Sequence, residues 1–485
     1  MNYKVIGKFI SQILFVEAIF MIPALLISIY DNKKPAIIGF LGSIIIIISI
    51  AVILFLVCKK AKQRFFAKEG LVCVGLSWIV LSLLGCLPFY ISGEISSFID
   101  ALFETVSGFT TTGATILTDV EAMSRGLLYW RSFSHWLGGM GVLVFLLAIV
   151  PADGRSNRFT MHLLRAESPG PNVGKLRPRM RDTAKILYIL YVGLTVLNIL
   201  FLLIGNMPVF EAVCTALGTA GTGGFGVKND SLASYSPYIQ SVCTVFMLLF
   251  GINFSCYYLL FLKRFKTVFK DGEVRTYLGI VVASTAMITI NISGMFGSVK
   301  EALHHAAFTV SSIITTTGFA TEDFDLWPEF SKTVILLLMM VGACAGSTGG
   351  GLKCGRLIIL IRSVRRSIRQ TLNPRKVEVI RNGGNVVDER IVSGVNSYFS
   401  AYILIILISF LFVSIDGQSV ITSFSGVVSC FNNIGPGLDM VGPTSNYAML
   451  GILSKIVLII DMLAGRLEIF QILILLSKNT WTSKR

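Results

Sequence analysis

Apolar residues in this chain fall in long blocks separated by short polar connections. Runs of about 20 apolar residues are long enough to cross a bilayer as helices. They lie near 5–30, 36–58, 70–92, 126–151, 183–205, 236–262, 275–296, 332–361, 394–415 and 446–477, which predicts ten spans. Among them sit shorter apolar runs that end in a polar turn. Thr105-Val-Ser-Gly-Phe-Thr-Thr-Thr-Gly113-Ala-Thr115 is nearly repeated as Val310-Ser-Ser-Ile-Ile-Thr-Thr-Thr-Gly318-Phe319. Weaker copies are Ala216-Leu-Gly-Thr-Ala-Gly-Thr-Gly223-Gly-Phe225 and Val428-Ser-Cys-Phe-Asn-Asn-Ile-Gly435-Pro436. Aligned on the glycine, Ser107, Ser312 and Ser429 share one offset, and Phe103 and Phe308 share another.

An internal repeat of this kind outranks any local motif as a sign of fold. The pattern predicts an all-α polytopic membrane protein. Four pseudo-repeated units of helix, pore helix, loop and helix surround one pore, in the manner of a K⁺ channel. The units are 68–151, 183–264, 272–370 and 391–478, with an N-terminal two-helix hairpin over 1–62 and a basic loop over 152–182. Backbone outside a helix is tolerated at membrane depth only where it is buried in protein or lines a water-filled path. Four turns around one axis can present carbonyl oxygens that replace the hydration shell of K⁺. Glycine permits the left-handed backbone that such a turn needs. A half-helix running inward from the outer face points its partly negative C-terminus at the loop, which favours a cation. Ser298 and Glu301 form a capping-box pattern before one half-helix, and Pro208 suits the first turn of another. Four unrelated Gly/Thr turns, as in a transporter with broken helices, are the plainer reading.

Composition agrees with a membrane protein. The 485 residues are 54% hydrophobic and 14% charged, with a mean hydropathy of +0.74; soluble proteins carry roughly 25% charged residues. A net charge of +15 would fit nucleic acid or anionic lipid. The basic residues, however, cluster in connecting segments at 59–68, 155–185, 263–275 and 362–390. The positive-inside rule makes these segments cytoplasmic and argues against a nucleic-acid partner. Acidic residues such as Glu94, Asp119, Asp230 and Asp323 fall mainly in the other connections, where they would concentrate cations. The nine cysteines form no CxxC pair, and eight of them, all but Cys354, lie in or beside apolar runs, as small buried residues. The first apolar run is too long for a signal-peptide core and reads as a retained helix.

Further motifs accompany the four turns: Gly138-Gly-Met-Gly141, Glu167-Ser-Pro-Gly-Pro171, Gly346-Ser-Thr-Gly-Gly-Gly-Leu-Lys353 and Ala464-Gly-Arg-Leu-Glu468. Together they resemble the TrkH branch of the Trk/Ktr/HKT potassium transporters, over essentially the whole chain. The resemblance implies a K⁺ (or Rb⁺) pore in each subunit of a homodimer in the plasma (inner) membrane, contacting membrane lipid. It also implies a cytosolic nucleotide-binding regulatory ring, TrkA-like. Both termini are expected in the cytoplasm. K⁺ is the transported ion, and no organic cofactor is expected in this chain. By position within the motif, the filter would be lined by Thr111, Thr112 and Gly113, then Gly221, Thr222 and Gly223, then Thr316, Thr317 and Gly318, then Asn433, Ile434 and Gly435. Glycine at position 113, where related plant proteins with serine lean toward Na⁺, favours K⁺.

The glycine cluster Gly346, Ser347, Thr348, Gly349, Gly350 and Gly351 cannot hold a stable helix, since each glycine costs about 1 kcal/mol relative to alanine. The resemblance implies a mobile loop that obstructs the pore below the filter; a static kink is the alternative. A phosphate-binding loop is excluded by spacing and by the lack of a preceding strand. Arg466 lies in the last apolar run between Asp461 and Glu468. Ionisable residues within a span usually face a cavity or a partner. Arg466 either pairs with Glu468 or faces the pore beside the glycine loop as an electrostatic barrier. The four histidines show no HExxH pattern, and no GxSxG is present, so the chain is not read as an enzyme. A Na⁺- or H⁺-coupled symporter on the same scaffold is the first alternative, and a membrane enzyme or receptor a distant one.

Overall fold

The computed structural model describes residues 1, 3–59, 67–141, 180–375, 377–382 and 385–481. It is all-helical apart from a two-residue ladder, β1 (Arg381–Asn382) with β2 (Asn385–Val386). α1 (Tyr3–Tyr30) and α2 (Lys34–Cys58) form the N-terminal hairpin, pinned by the Ser11 hydroxyl donating to Ala51 O at 2.9 Å. The hairpin packs mainly on the first unit, against α3 (Ala67–Gly85), α4 (Leu87–Ile91) and α6 (Arg125–Gly139), and its Tyr3 hydroxyl donates to Trp481 O near the other end of the chain at 3.1 Å.

Each unit carries one short inward helix. These are α5 (Phe98–Phe109), α8 (Val209–Gly221), α13 (Val299–Ile314) and α17 (Val420–Phe431). Ser97, Ser298 and Ser419 cap three of them by accepting the N–H of Asp100, Glu301 and Thr422. Pro208 stands one position earlier than the first-turn placement expected of it, at the cap itself. The second unit opens on α7 (Met180–Ile204), the third on α12 (Gly272–Ile292) and the fourth on α16 (Glu389–Val413).

Six described helices are long and apolar enough to cross a membrane, and a bent pair adds a seventh. Three of the predicted spans are broken. The run 236–262 is α9 (Pro237–Phe250) and α10 (Phe254–Phe261), turned by 91°. Asn253 starts the second piece by accepting the Ser255 N–H at 2.8 Å, which replaces a helical continuation with a new cap. The run 332–361 is α14 (Glu329–Val341) and the start of α15 (Cys354–Leu372), separated by the glycine loop. The run 446–477 shortens to α18 (Ile452–Arg466), then breaks at left-handed Glu468 before α19 (Phe470–Leu476) and α20 (Lys478–Trp481). Of the run 126–151 only α6 and Met140–Gly141 are described. The expected basic loop at 152–182 lies outside the described residues up to the start of α7, and a five-residue helix, α11 (Phe265–Phe269), joins the second unit to the third.

Contacts between units run in one closed order. α6 meets α8, α9 meets α13, α14 meets α17, and α18 returns to α5. The last seam carries a partly buried ion pair, Lys455 Nζ to Asp100 Oδ1 at 2.7 Å. All nine cysteines are free and buried.

Candidate ion pathway

The four inward helices end in the same way. At each C-terminus two bonds turn the chain: Thr111 N–H to Gly108 O (3.1 Å) and Thr112 N–H to Ser107 O (2.9 Å) in the first unit. The counterparts of the second bond are Gly223 to Gly218 (2.9 Å), Thr317 to Ser312 (2.8 Å) and Ile434 to Ser429 (3.0 Å). This is the Schellman arrangement, whose penultimate residue is left-handed and normally glycine or asparagine. Here it is Thr111 (φ 56°), Thr222 (53°), Thr316 (57°) and Asn433 (57°). A β-branched residue with positive φ is a genuine outlier. Three at equivalent places are strain of the kind that collects at functional sites.

Two residues on, a glycine is again left-handed: Gly113 (φ 81°), Gly224 (80°), Gly318 (84°) and Gly435 (102°). A Cβ on Gly113 would strike the carbonyl of Gly223; on Gly224, that of Thr317; on Gly318, that of Ile434; and on Gly435, that of Thr112. Each loop therefore presses its glycine on the carbonyl of a neighbour, and the four contacts close into a ring. Glycine is required twice, for its φ and for this approach.

The second loop corrects the sequence alignment by one residue. Gly221 is the last residue of α8, and the repeated triple is Thr222-Gly223-Gly224 rather than Gly221-Thr222-Gly223. Gly223 stands where the other loops have Thr112, Thr317 and Ile434. A side chain there would fall inside the ring of His135. His135 ties two units together: its Nδ1 lies 2.8 Å from Gly108 O, and its Nε2 accepts the Phe225 N–H at 3.2 Å. That pattern assigns the proton to Nδ1.

Beside it lies a buried ion pair whose partners the sequence did not name. Arg131 Nε meets Glu104 Oε1 at 2.5 Å, Arg131 Nη1 donates to Gly226 O at 2.9 Å, and its guanidinium lies 3.5 Å from the Phe225 ring centroid. Glu104 also accepts the Ile116 N–H at 3.0 Å and the Thr115 hydroxyl. A charge inside a half-helix, Glu104, and one inside the next apolar run, Arg131, were the available signal. His304 bonds to Gln240 (2.7 Å) and His305 to Thr321 (3.0 Å). Among the described residues no group of three potential metal ligands gathers.

The glycine loop runs from Gly342 to Lys353 between α14 and α15 and lies against the ring. Gly350 N–H donates to the Thr316 hydroxyl at 2.6 Å, and a Cβ on Gly350 would strike Asn432 O. Its flank is seated in the α9–α10 bend, where Cys344 N–H reaches Gly251 O (3.1 Å) and Phe254 N–H reaches Gly346 O (3.0 Å). Buried Lys353 turns its ammonium back on Gly349 O. Arg466 donates to Thr348 O (2.8 Å) and to Gly138 O and Gly139 O (2.7 Å for the latter). One guanidinium thus joins the fourth unit, the loop of the third and the end of α6 in the first. Glu468, offered by the sequence as a partner of Arg466, pairs with Arg356 instead. The left-handed turn at Glu468 takes its side chain off the helix that carries Arg466.

The family model for TrkH, a cation transport protein, matches residues 37–483. The Trk system potassium uptake protein TrkH of Salmonella typhimurium is 34% identical over 488 residues, covering 99% of this chain and 100% of that one. The protein of the same description from Escherichia coli K12 matches equally, at 34% over the same shares. The crystal structure of the potassium transporter TrkH from Vibrio parahaemolyticus superposes with a TM-score of 0.88 at 30% identity, covering 99% of this chain and 100% of that chain.

Proposed function

The chain belongs to the TrkH family of cation transport proteins, a family of transporters and not of enzymes, and from that premise we propose that it carries K⁺ into the cell through the ring of four turns. The observation that supports this most is the closure of the ring. Four equivalent carbonyls abut four glycines in cyclic order, and the inward helices aim their C-terminal ends at them. The glycine loop and Arg466 form the obstruction below, since they bond to the ring residue Thr316 and to three units at once.

The protein is a multi-pass membrane protein. We place it in the plasma (inner) membrane as a homodimer among lipid, with the basic connections and both termini in the cytoplasm, where a TrkA-like nucleotide-binding subunit would act. The test is ⁸⁶Rb⁺ uptake by proteoliposomes of the purified chain, chased with K⁺ or Na⁺. K⁺ should displace the tracer and Na⁺ should not. Uptake that follows an imposed Na⁺ or H⁺ gradient rather than the K⁺ gradient would favour symport. No uptake, or uptake indifferent to serine at Gly113, Gly318 and Gly435, would refute the proposal.

A further inference from the structure

We propose that Glu273 is the positioning residue that holds the glycine loop in its obstructing conformation, by gathering both ends of the loop on a single carboxylate oxygen. Glu273 Oε1 accepts the N–H of Ala345 at 2.7 Å and the N–H of Gly355 at 2.8 Å. Ala345 follows the end of α14, and Gly355 lies in the first turn of α15, so the two bonds bracket the segment 346–353. Gly355 N–H is one of the amides that a helix start leaves without an internal acceptor. A carboxylate there satisfies it and meets the positive end of the helix. Gly355 also makes the approach feasible: a Cβ would lie 2.9 Å from Oε1.

The carboxylate is not needed for its own helix. Asp271 caps α12 by accepting the N–H of Glu273 at 2.8 Å and of Val274 at 3.3 Å. Glu273 therefore reaches out of one helix to fix a loop between two others. These bonds add to the backbone contacts that seat the loop in the α9–α10 bend. Arg466 and Thr316 hold its upper part, and Glu273 holds its base. The base contact sits two residues into a helix that follows the exposed segment Lys263, Arg264, Lys266 and Lys270. A shift of that segment moves the clamp with it.

The inference rests on the loop being the obstruction, and the test separates the two. Cys344 lies in the loop, buried and free, and reports on its release. Full-length protein in proteoliposomes is compared as wild type, Glu273→Ala and Glu273→Gln. ⁸⁶Rb⁺ uptake and the rate of Cys344 modification by a small methanethiosulfonate, read by peptide mass spectrometry, are both measured. Loss of two charge-assisted bonds should raise Cys344 modification about tenfold or more in Glu273→Ala, with uptake rising alongside. Glutamine keeps an oxygen that accepts both N–H groups and should stay within about threefold of wild type. Unchanged modification in Glu273→Ala overturns the clamp, as does a Glu273→Gln variant that behaves like alanine. Modification that rises without uptake upholds the clamp and removes the obstructing role from the loop. Should Glu273→Ala fail to fold, Gly355→Ala displaces the same oxygen and carries the same expectations.

Discussion

Replacing Arg466 tests whether the glycine loop closes the pathway. Its guanidinium donates to Thr348 O in the glycine loop and to Gly138 O and Gly139 O at the end of α6. Only the Thr348 bond holds the loop directly; the other two fix the guanidinium that makes it. A hydrogen bond from a charged donor contributes about 1.5–3 kcal/mol. Methionine at 466 should therefore favour release of the loop by about that amount, a factor of about 10–150 in the closed-to-open ratio at tenfold per 1.4 kcal/mol. The assay is ⁸⁶Rb⁺ uptake by proteoliposomes of the purified chain alone. Lysine separates two ways of closing. It keeps the charge but is a point donor without the planar fork that reaches both elements at once. If the barrier is charge alone, Arg466→Lys behaves as wild type; if the bridge matters, it lies between wild type and Arg466→Met. Uptake by Arg466→Met equal to wild type, in protein that elutes and melts normally, would refute both.

Further outcomes follow from the ring and its supports. Gly224→Ala should cut ⁸⁶Rb⁺ uptake at least about tenfold and destabilise by about 1–3 kcal/mol in thermal melts, because its φ of 80° and the Thr317 carbonyl both reject a Cβ; normal uptake would return the second loop to the register read from sequence. Thr222→Gly should melt higher by about 1 kcal/mol, since glycine accepts φ 53°, while discriminating less well between Rb⁺ and Na⁺ in flux competition. Arg131→Met should cost about 3–5 kcal/mol by leaving Glu104 buried and unpaired, and Glu104→Gln with Arg131→Met should recover part of it; a double variant no more stable than the single one would contradict this. At the start of α17, hydroxyls of Ser419 and Thr422 hold the Asp439 carboxyl below its ordinary value of 3.8. A depressed value contributes stability above the ordinary pKa that is lost as pH falls through the lowered one. The melting difference between wild type and Asp439→Asn should therefore shrink as pH drops below about 4.

What the sequence determined by itself was whatever a residue imposes on its own backbone. Long apolar blocks have few options but helices in lipid, and they led to α1, α2, α7, α12 and α16 within a few residues. Gly113, Gly318 and Gly435 announced left-handed turns after short runs, and the cluster at 346–351 announced a break, because glycine acts locally. Tertiary structure decided whatever depended on a neighbour distant in sequence. The second turn falls at Gly224 because the ring of His135, from another unit, occupies the space beside Gly223. The α9–α10 bend was hidden because one apolar run serves equally for a straight helix or two halves; the amides and carbonyls it frees are taken up by Cys344 and Gly346 of the third unit. Glu104 and Arg131 were visible as charges in apolar surroundings, but their pairing, like that of Glu468 with Arg356 and of Glu273 with the loop ends, is set by how whole units meet. Hydrogen bonds and ion pairs reach only about 3 Å, so a one-dimensional pattern shows which groups need a partner, and only the folded chain says which one arrives.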